Sequence, residues 1–107
     1  MINLFIREPA FSNLLNGNKK YELRLLKGIF NNLNIGDEII LCNNKNRVTK
    51  TIEDIKLYNN FTELLTNLGV NKCLVNISNI KCAQKYIETI YSEKMQQKYS
   101  CLALKFN

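Results

Sequence analysis

Between Gly17 and Arg24 the chain reads Gly-Asn-Lys-Lys-Tyr-Glu-Leu-Arg, which places an ammonium, a carboxylate and a guanidinium directly after a glycine turn. A lysine meets a phosphate as a mobile point charge, and an arginine grips an oxyanion with two parallel donors. A glutamate accepts from a base edge or takes a proton. A lysine desolvated beside an arginine gives up its proton more readily, which makes Lys19, with Glu22, the candidate catalytic pair. The two-residue period of a strand sends Lys20, Glu22 and Arg24 to one side and Tyr21 and Leu23 to the other, with Lys19 at the strand's mouth. Arg7, on a neighbouring first strand, adds a second guanidinium. The plainer reading of the same residues is a Glu22–Arg24 ion pair that pins the mouth of a sheet.

Two aromatic residues belong to the same candidate set. Tyr91 and Tyr99 could stack on an exposed base, although a tyrosine at the end of a helix stripe or the start of a strand is more often core. Lys45, Arg47 and Lys50 form a further basic group, read equally well as an edge that tracks phosphates and as a solvated hairpin tip. The chain carries a formal net charge of +6 and a pI near 9.2, which suits a polyanionic partner. Its richness in Asn, Lys and Ile also fits an AT-rich coding sequence, which discounts the charge as a signal.

The chain has no His, and Cys42, Cys73, Cys82 and Cys101 are widely spaced with no Cys-x-x-Cys pair. The usual zinc patterns therefore fail, and neither metal nor cofactor is expected. Spacing alone leaves a disulfide open, while the apolar neighbours of these cysteines favour small core side chains. Without His, any catalysis falls to Lys, Tyr, Glu, Asp or a bound water.

The elements that must position these groups follow from the apolar pattern. At 107 residues the chain reads as one domain over 1–107, large enough to need no staple. No apolar run approaches the length of a membrane span and no secretion leader is visible, so an intracellular location, cytoplasmic or nuclear, is expected. Leu4 to Arg7 reads as a strand. Pro9 opens a helix through Leu14-Leu15 that stops at Gly17. After the Lys19–Arg24 strand, Gly28 breaks the chain, Ile29 to Leu33 is a turn or short helical piece, and Asn34 to Asp37 turns into a strand over Glu38–Cys42. Asn43 to Asn46 closes a hairpin onto a long, bulged strand from Val48 to Tyr58. Asn60 caps a two-turn helix carrying Phe61, Leu64, Leu65 and Leu68 up to Gly69. A second helix opens at Ser78 with Ile80, Ala83, Ile87, Ile90 and Tyr91 on one stripe. Tyr99 to Phe106 closes the chain as a strand. The sum is an α+β fold, a small β-barrel of five to six mixed strands flanked by two to three helices.

The order and spacing of these pieces resemble the ASCH domain, a branch of the PUA-like superfamily. The matching residues are Phe5-Ile6-Arg7-Glu8-Pro9, then Gly17, Lys19, Glu22 and Arg24 as Gly-x-Lys-x-x-Glu-x-Arg, Gly36-Asp37, Phe61-x-x-Leu64-Leu65, Ile90-Tyr91-Ser92, and Tyr99 to Leu104. The resemblance implies a helix-flanked cleft with RNA or a modified nucleoside as ligand. The leading expectation is thus an RNA-binding module holding single-stranded or looped RNA through Arg7, Lys19, Lys20, Glu22, Arg24, Tyr91 and Tyr99. An enzyme is the alternative, since some ASCH-like proteins resemble amidohydrolases acting on 4-acetylcytidine and others behave as ribonucleases. The amidohydrolase branch has a threonine two residues before the motif arginine where this chain has Glu22, and its acidic partner falls at Asn76 or a neighbour, so Lys19 alone carries over. A ribonuclease would use Lys19, a tyrosine and a hydroxyl such as Ser100 without metal. A protein-interaction adaptor with a vestigial cleft is the third reading.

Overall fold

The computed structural model describes residues 1–107. In chain order the elements are β1 (Ile2–Phe5), α1 (Ala10–Asn16), β2 (Glu22–Leu25), a 3₁₀ turn (Gly28–Asn32), β3 (Glu38–Cys42), β4 (Arg47–Tyr58), α2 (Phe61–Leu68), α3 (Val70–Cys73), α4 (Ile80–Glu88), α5 (Glu93–Lys98) and β5 (Cys101–Phe106). The strands make one mixed sheet in the order β1-β3-β4-β5-β2, with β1 parallel to β3 and the other pairs antiparallel. Asn43 closes the β3–β4 hairpin, its side-chain oxygen accepting from the backbone N–H of Lys45 and of Asn46. β4 carries the expected bulge, a register shift between Ile52 and Asp54.

Because directly opposed residues share a face, the ladder sorts the side chains into two cores. Leu23 opposes Ala103 and Leu25 opposes Cys101, and all four pack with Phe61, Leu64 and Leu65 of α2 and Ala83 and Ile87 of α4. Leu102 and Leu104 point the opposite way, joining Leu4, Ile6, Phe11, Ile39, Leu41 and Ile52 on the concave side. The sheet is therefore apolar on both faces along β5, where Cys101 through Leu104 are all buried. Such a run reads as continuous rather than alternating.

The sheet curls into a half-barrel whose free edges are β1 and β2; no ladder joins them. Expected boundaries shift in places. The first strand spans Ile2–Phe5 rather than Leu4–Arg7, and the second begins at Glu22 rather than Lys19. Lys20 and Tyr21 both donate their backbone N–H to the Lys72 carbonyl, at 2.7 and 3.1 Å, so the chain there is tied to the end of α3 instead of entering the sheet. Of the stripe expected from Ser78 to Tyr91, α4 takes up Ile80–Glu88, capped by Asn79, and α5, capped by Ser92, follows beyond it. The helices α3 and α5 add to those expected; four and six residues long, they are too short to display helical periodicity. No helix is long and apolar enough to cross a membrane.

Candidate nucleic-acid interface

Glu22 and Arg24 oppose Leu104 and Leu102 across the β2–β5 ladder, so both point to the concave face at the sheet's free edge. The Glu22 carboxylate accepts from Arg24 at 2.8 Å (Nη2) and 3.2 Å (Nε), a forked contact on one oxygen. Its other oxygen lies 3.4 Å from Lys19 Nζ. The Lys19 ammonium also donates to the Cys73 carbonyl at the end of α3. Arg24 Nη2 reaches on to the Phe5 carbonyl at 2.9 Å, at the end of β1, and its guanidinium lies 5.9 Å from the Phe30 ring centre. One chain of charge thus runs from α3 through β2 to β1, across the seam where no backbone ladder exists.

Burial separates the members of this chain. Lys19 is 5% exposed and Glu22 7%, whereas the Arg24 side chain keeps 23% of its surface. Both oxygens of this buried carboxylate are in contact with a cation, so Lys19 and Glu22 serve each other before any ligand. Tyr91 lies close by. Burial pushes its phenol up, while the Arg24 guanidinium draws it down and Glu22 pushes it up. Its ring stacks on Phe61, centroids 5.4 Å apart, so one aromatic face is already covered.

The sequence placed Lys20 beside Glu22 and Arg24. The structure places Lys19 there instead and leaves Lys20 exposed, because residues 19–21 precede the ladder that would have enforced alternation. Lys20 turns back over Gly17, whose φ of +87° ends α1. Arg7 is exposed beyond β1, and its guanidinium makes no hydrogen bond or ion pair with the motif. Tyr99 stands at the other end of β5, with the Lys27 and Lys98 ammoniums each 5.3 Å from its ring centre.

Beside the buried chain lies a cleft of about 140 Å³ at one open end of the concave face. Leu14, Leu15, Gly17, Lys19 and Lys20 line it from the α1 side, and Leu41, Lys50, Lys105 and Phe106 from the sheet. Its charged lining is four lysines and no carboxylate. Sequence reading grouped Lys50 with the hairpin tip, but its place opposite Ile39 puts it on the concave face. Arg47 is drawn elsewhere, donating to the Asn3 side chain at 3.2 Å. The signal for Lys50 was present in its two-residue spacing from Val48 and Ile52; nothing local in the sequence pointed to Lys105.

Of the four free cysteines, two serve packing, while Cys42 is half-buried and Cys82 exposed rather than in the core. Cys73 and Cys101 are buried in the helix-side core, and burial pushes their thiols up to about 11 and about 12. No cluster of three or more His, Cys, Asp or Glu side chains is arranged to hold a metal ion.

The mixed five-stranded half-barrel with its helices is the α+β architecture of a PUA-like domain. The ASCH domain family model matches residues 4–107, and the chain belongs to that family. Two solved structures share the fold. The hypothetical protein PH0355 has a TM-score of 0.86 at 22% identity, over 98% of this chain and 95% of that one. Protein PF0455 from Pyrococcus furiosus has a TM-score of 0.80 at 20% identity, over 99% and 94%. At such identities the likeness concerns the fold alone. No curated protein matches the chain.

Proposed function

We propose that this domain binds single-stranded or looped RNA by its phosphates in the lysine-lined cleft, with the buried Lys19–Glu22–Arg24 chain holding the cleft's walls in place. The observation that carries the reading is the lining itself: four lysines, no carboxylate, and apolar walls from Leu14, Leu15, Leu41 and Phe106. Lys20 and Lys50 have no ion-pair partner, and Lys105 has only a half-exposed contact with Glu53 at 3.6 Å. Ammoniums of this kind track a phosphate backbone without reading sequence. Lys27 and Lys98, whose ammoniums each lie 5.3 Å from the Tyr99 ring centre, offer a second cationic contact for a phosphate. Membership of the ASCH family, whose domains are generally proposed to bind RNA, supports the same reading.

The enzymatic alternatives require Lys19 or Glu22 to reach a substrate. Both are buried and engaged with each other, with Arg24 and with the Cys73 carbonyl, which favours binding over catalysis. The test is titration of a fluorescent single-stranded RNA by anisotropy across a salt series. The logarithm of affinity should fall with the logarithm of salt, at a slope of roughly −0.7 for each phosphate that the lysines neutralise on a single strand. Lys20→Ala and Lys50→Ala should each reduce that slope, whereas Lys85→Ala, on α4, should not. An affinity that ignores salt, or that is lost equally in all three variants, overturns the proposal.

A further inference from the structure

The volume of the lysine cleft bears on which phosphate it takes. About 140 Å³ corresponds to roughly five waters at ~30 Å³ each, which is room for one tetrahedral oxyanion and part of a sugar. An internal phosphodiester brings a sugar on each side and needs an entrance and an exit. In a space of this volume, with Leu14, Leu15, Gly17, Leu41 and Phe106 in its lining, a terminal phosphate with one sugar is the better fit.

Charge points the same way. Lys20 and Lys50 line the cleft without an ion-pair partner, Lys105 lines it with its ammonium 3.6 Å from Glu53, and the Lys19 ammonium is engaged by Glu22 and Cys73. A phosphodiester brings a single negative charge, whereas a monoester carries about −1.5 to −2 at neutral pH. Among apolar walls, where screening is weaker than in open water, the additional charge is favoured strongly. Phe106, half-buried at the rim, gives the attached sugar or base an apolar surface.

We infer that the cleft is a phosphate-monoester site, which takes the terminal phosphate of an RNA strand or the phosphate of a free nucleotide. The inference rests on the proposed RNA reading for its macromolecular ligand, but the monoester chemistry stands apart from it. Four probes separate the cases: one RNA oligonucleotide with a 5′-phosphate, the same strand with a 5′-hydroxyl, a nucleoside 5′-monophosphate, and its nucleoside.

At pH 7.5 the 5′-phosphorylated strand should bind at least about tenfold more tightly than the 5′-hydroxyl strand, and the monophosphate should bind where the nucleoside does not. Lys50→Ala and Lys20→Ala should erase the difference. The advantage should also shrink as the pH falls through about 6, where a monoester takes up its second proton. The chain has no histidine to titrate there. The groups around the cleft are the four lysines, with Glu22 against Lys19 and Glu53 against Lys105.

Equal, lysine-dependent binding of both strands would overturn the monoester site and leave the RNA reading standing. Monophosphate binding with no affinity for either strand would uphold the site and remove the RNA reading. A 5′-phosphate advantage unaffected by Lys20→Ala and Lys50→Ala would overturn the inference by placing the phosphate elsewhere.

Discussion

Glu22→Gln is the substitution that most directly probes what holds the seam of the half-barrel. In the wild type one buried carboxylate accepts from Arg24 at 2.8 and 3.2 Å and faces Lys19 at 3.4 Å. Glutamine keeps the shape but offers one acceptor and one NH₂ group. In either orientation, therefore, one of the two cations faces a donor. Removing one partner from a buried charge network costs about 3–5 kcal/mol, chiefly because the charge left behind is no longer compensated. Against a total of ~5–15 kcal/mol for a domain, that is a large share. At roughly 4–8 °C per kcal/mol for a domain near this size, the melting temperature should fall by more than about 12 °C. Urea unfolding followed by far-UV circular dichroism measures the loss, with an unchanged m-value confirming that the native fold is the starting state. The double variant Lys19→Met with Glu22→Gln should lose less than the sum of the single variants, by about 0.5–3 kcal/mol, as expected for directly coupled groups. A Glu22→Gln protein within about 1 kcal/mol of wild type would refute the reasoning, because the carboxylate would then have to be solvated rather than shared.

Two further outcomes follow from the backbone and the thiols. Gly17→Ala should cost about 1–2 kcal/mol through its left-handed backbone, since φ is +87° and the added methyl would meet only the flexible Lys20 ammonium at 3.6 Å; thermal unfolding reads this out. At pH 8 exposed Cys82 should react with a thiol reagent first and half-buried Cys42 more slowly, while Cys73 and Cys101 should react only after unfolding. Their thiols sit at about 11 and about 12 in the fold against an ordinary 9.0. The unfolded chain therefore ionises first, and stability should hold below pH 9 and decline as pH rises from 9 towards 12. A flat urea midpoint across that window would contradict the burial argument.

Much of the fold was legible because its signals are local. Asn60 with Glu63, the apolar spacing of Phe61, Leu64 and Leu65, and the Asn-rich hairpin after Cys42 each act within a few residues, and α2, β3 and β4 form where those patterns place them. α5 was not legible because Glu93–Lys98 turns little more than Met95 and Gln96 inward, and Gln96 is polar. Its buried amide accepts from the Phe61 N–H at 3.2 Å and donates to the Tyr91 carbonyl at 3.1 Å, partners that only folding supplies.

The candidate site divides along the same line. That Glu22 and Arg24 share a side was contained in the sequence, because a two-residue spacing in a strand permits nothing else. That Lys19 rather than Lys20 joins them depended on the Lys72 carbonyl, 52 positions further along from Lys20, which draws the chain out of strand geometry just before the ladder begins. The meeting of Lys20, Lys50 and Lys105 in one recess depended on how far the sheet curls. Short-range periodicity fixes which way a side chain points from its own backbone. Where that side chain arrives is decided by contacts between distant segments, and these exist only once the two cores have packed.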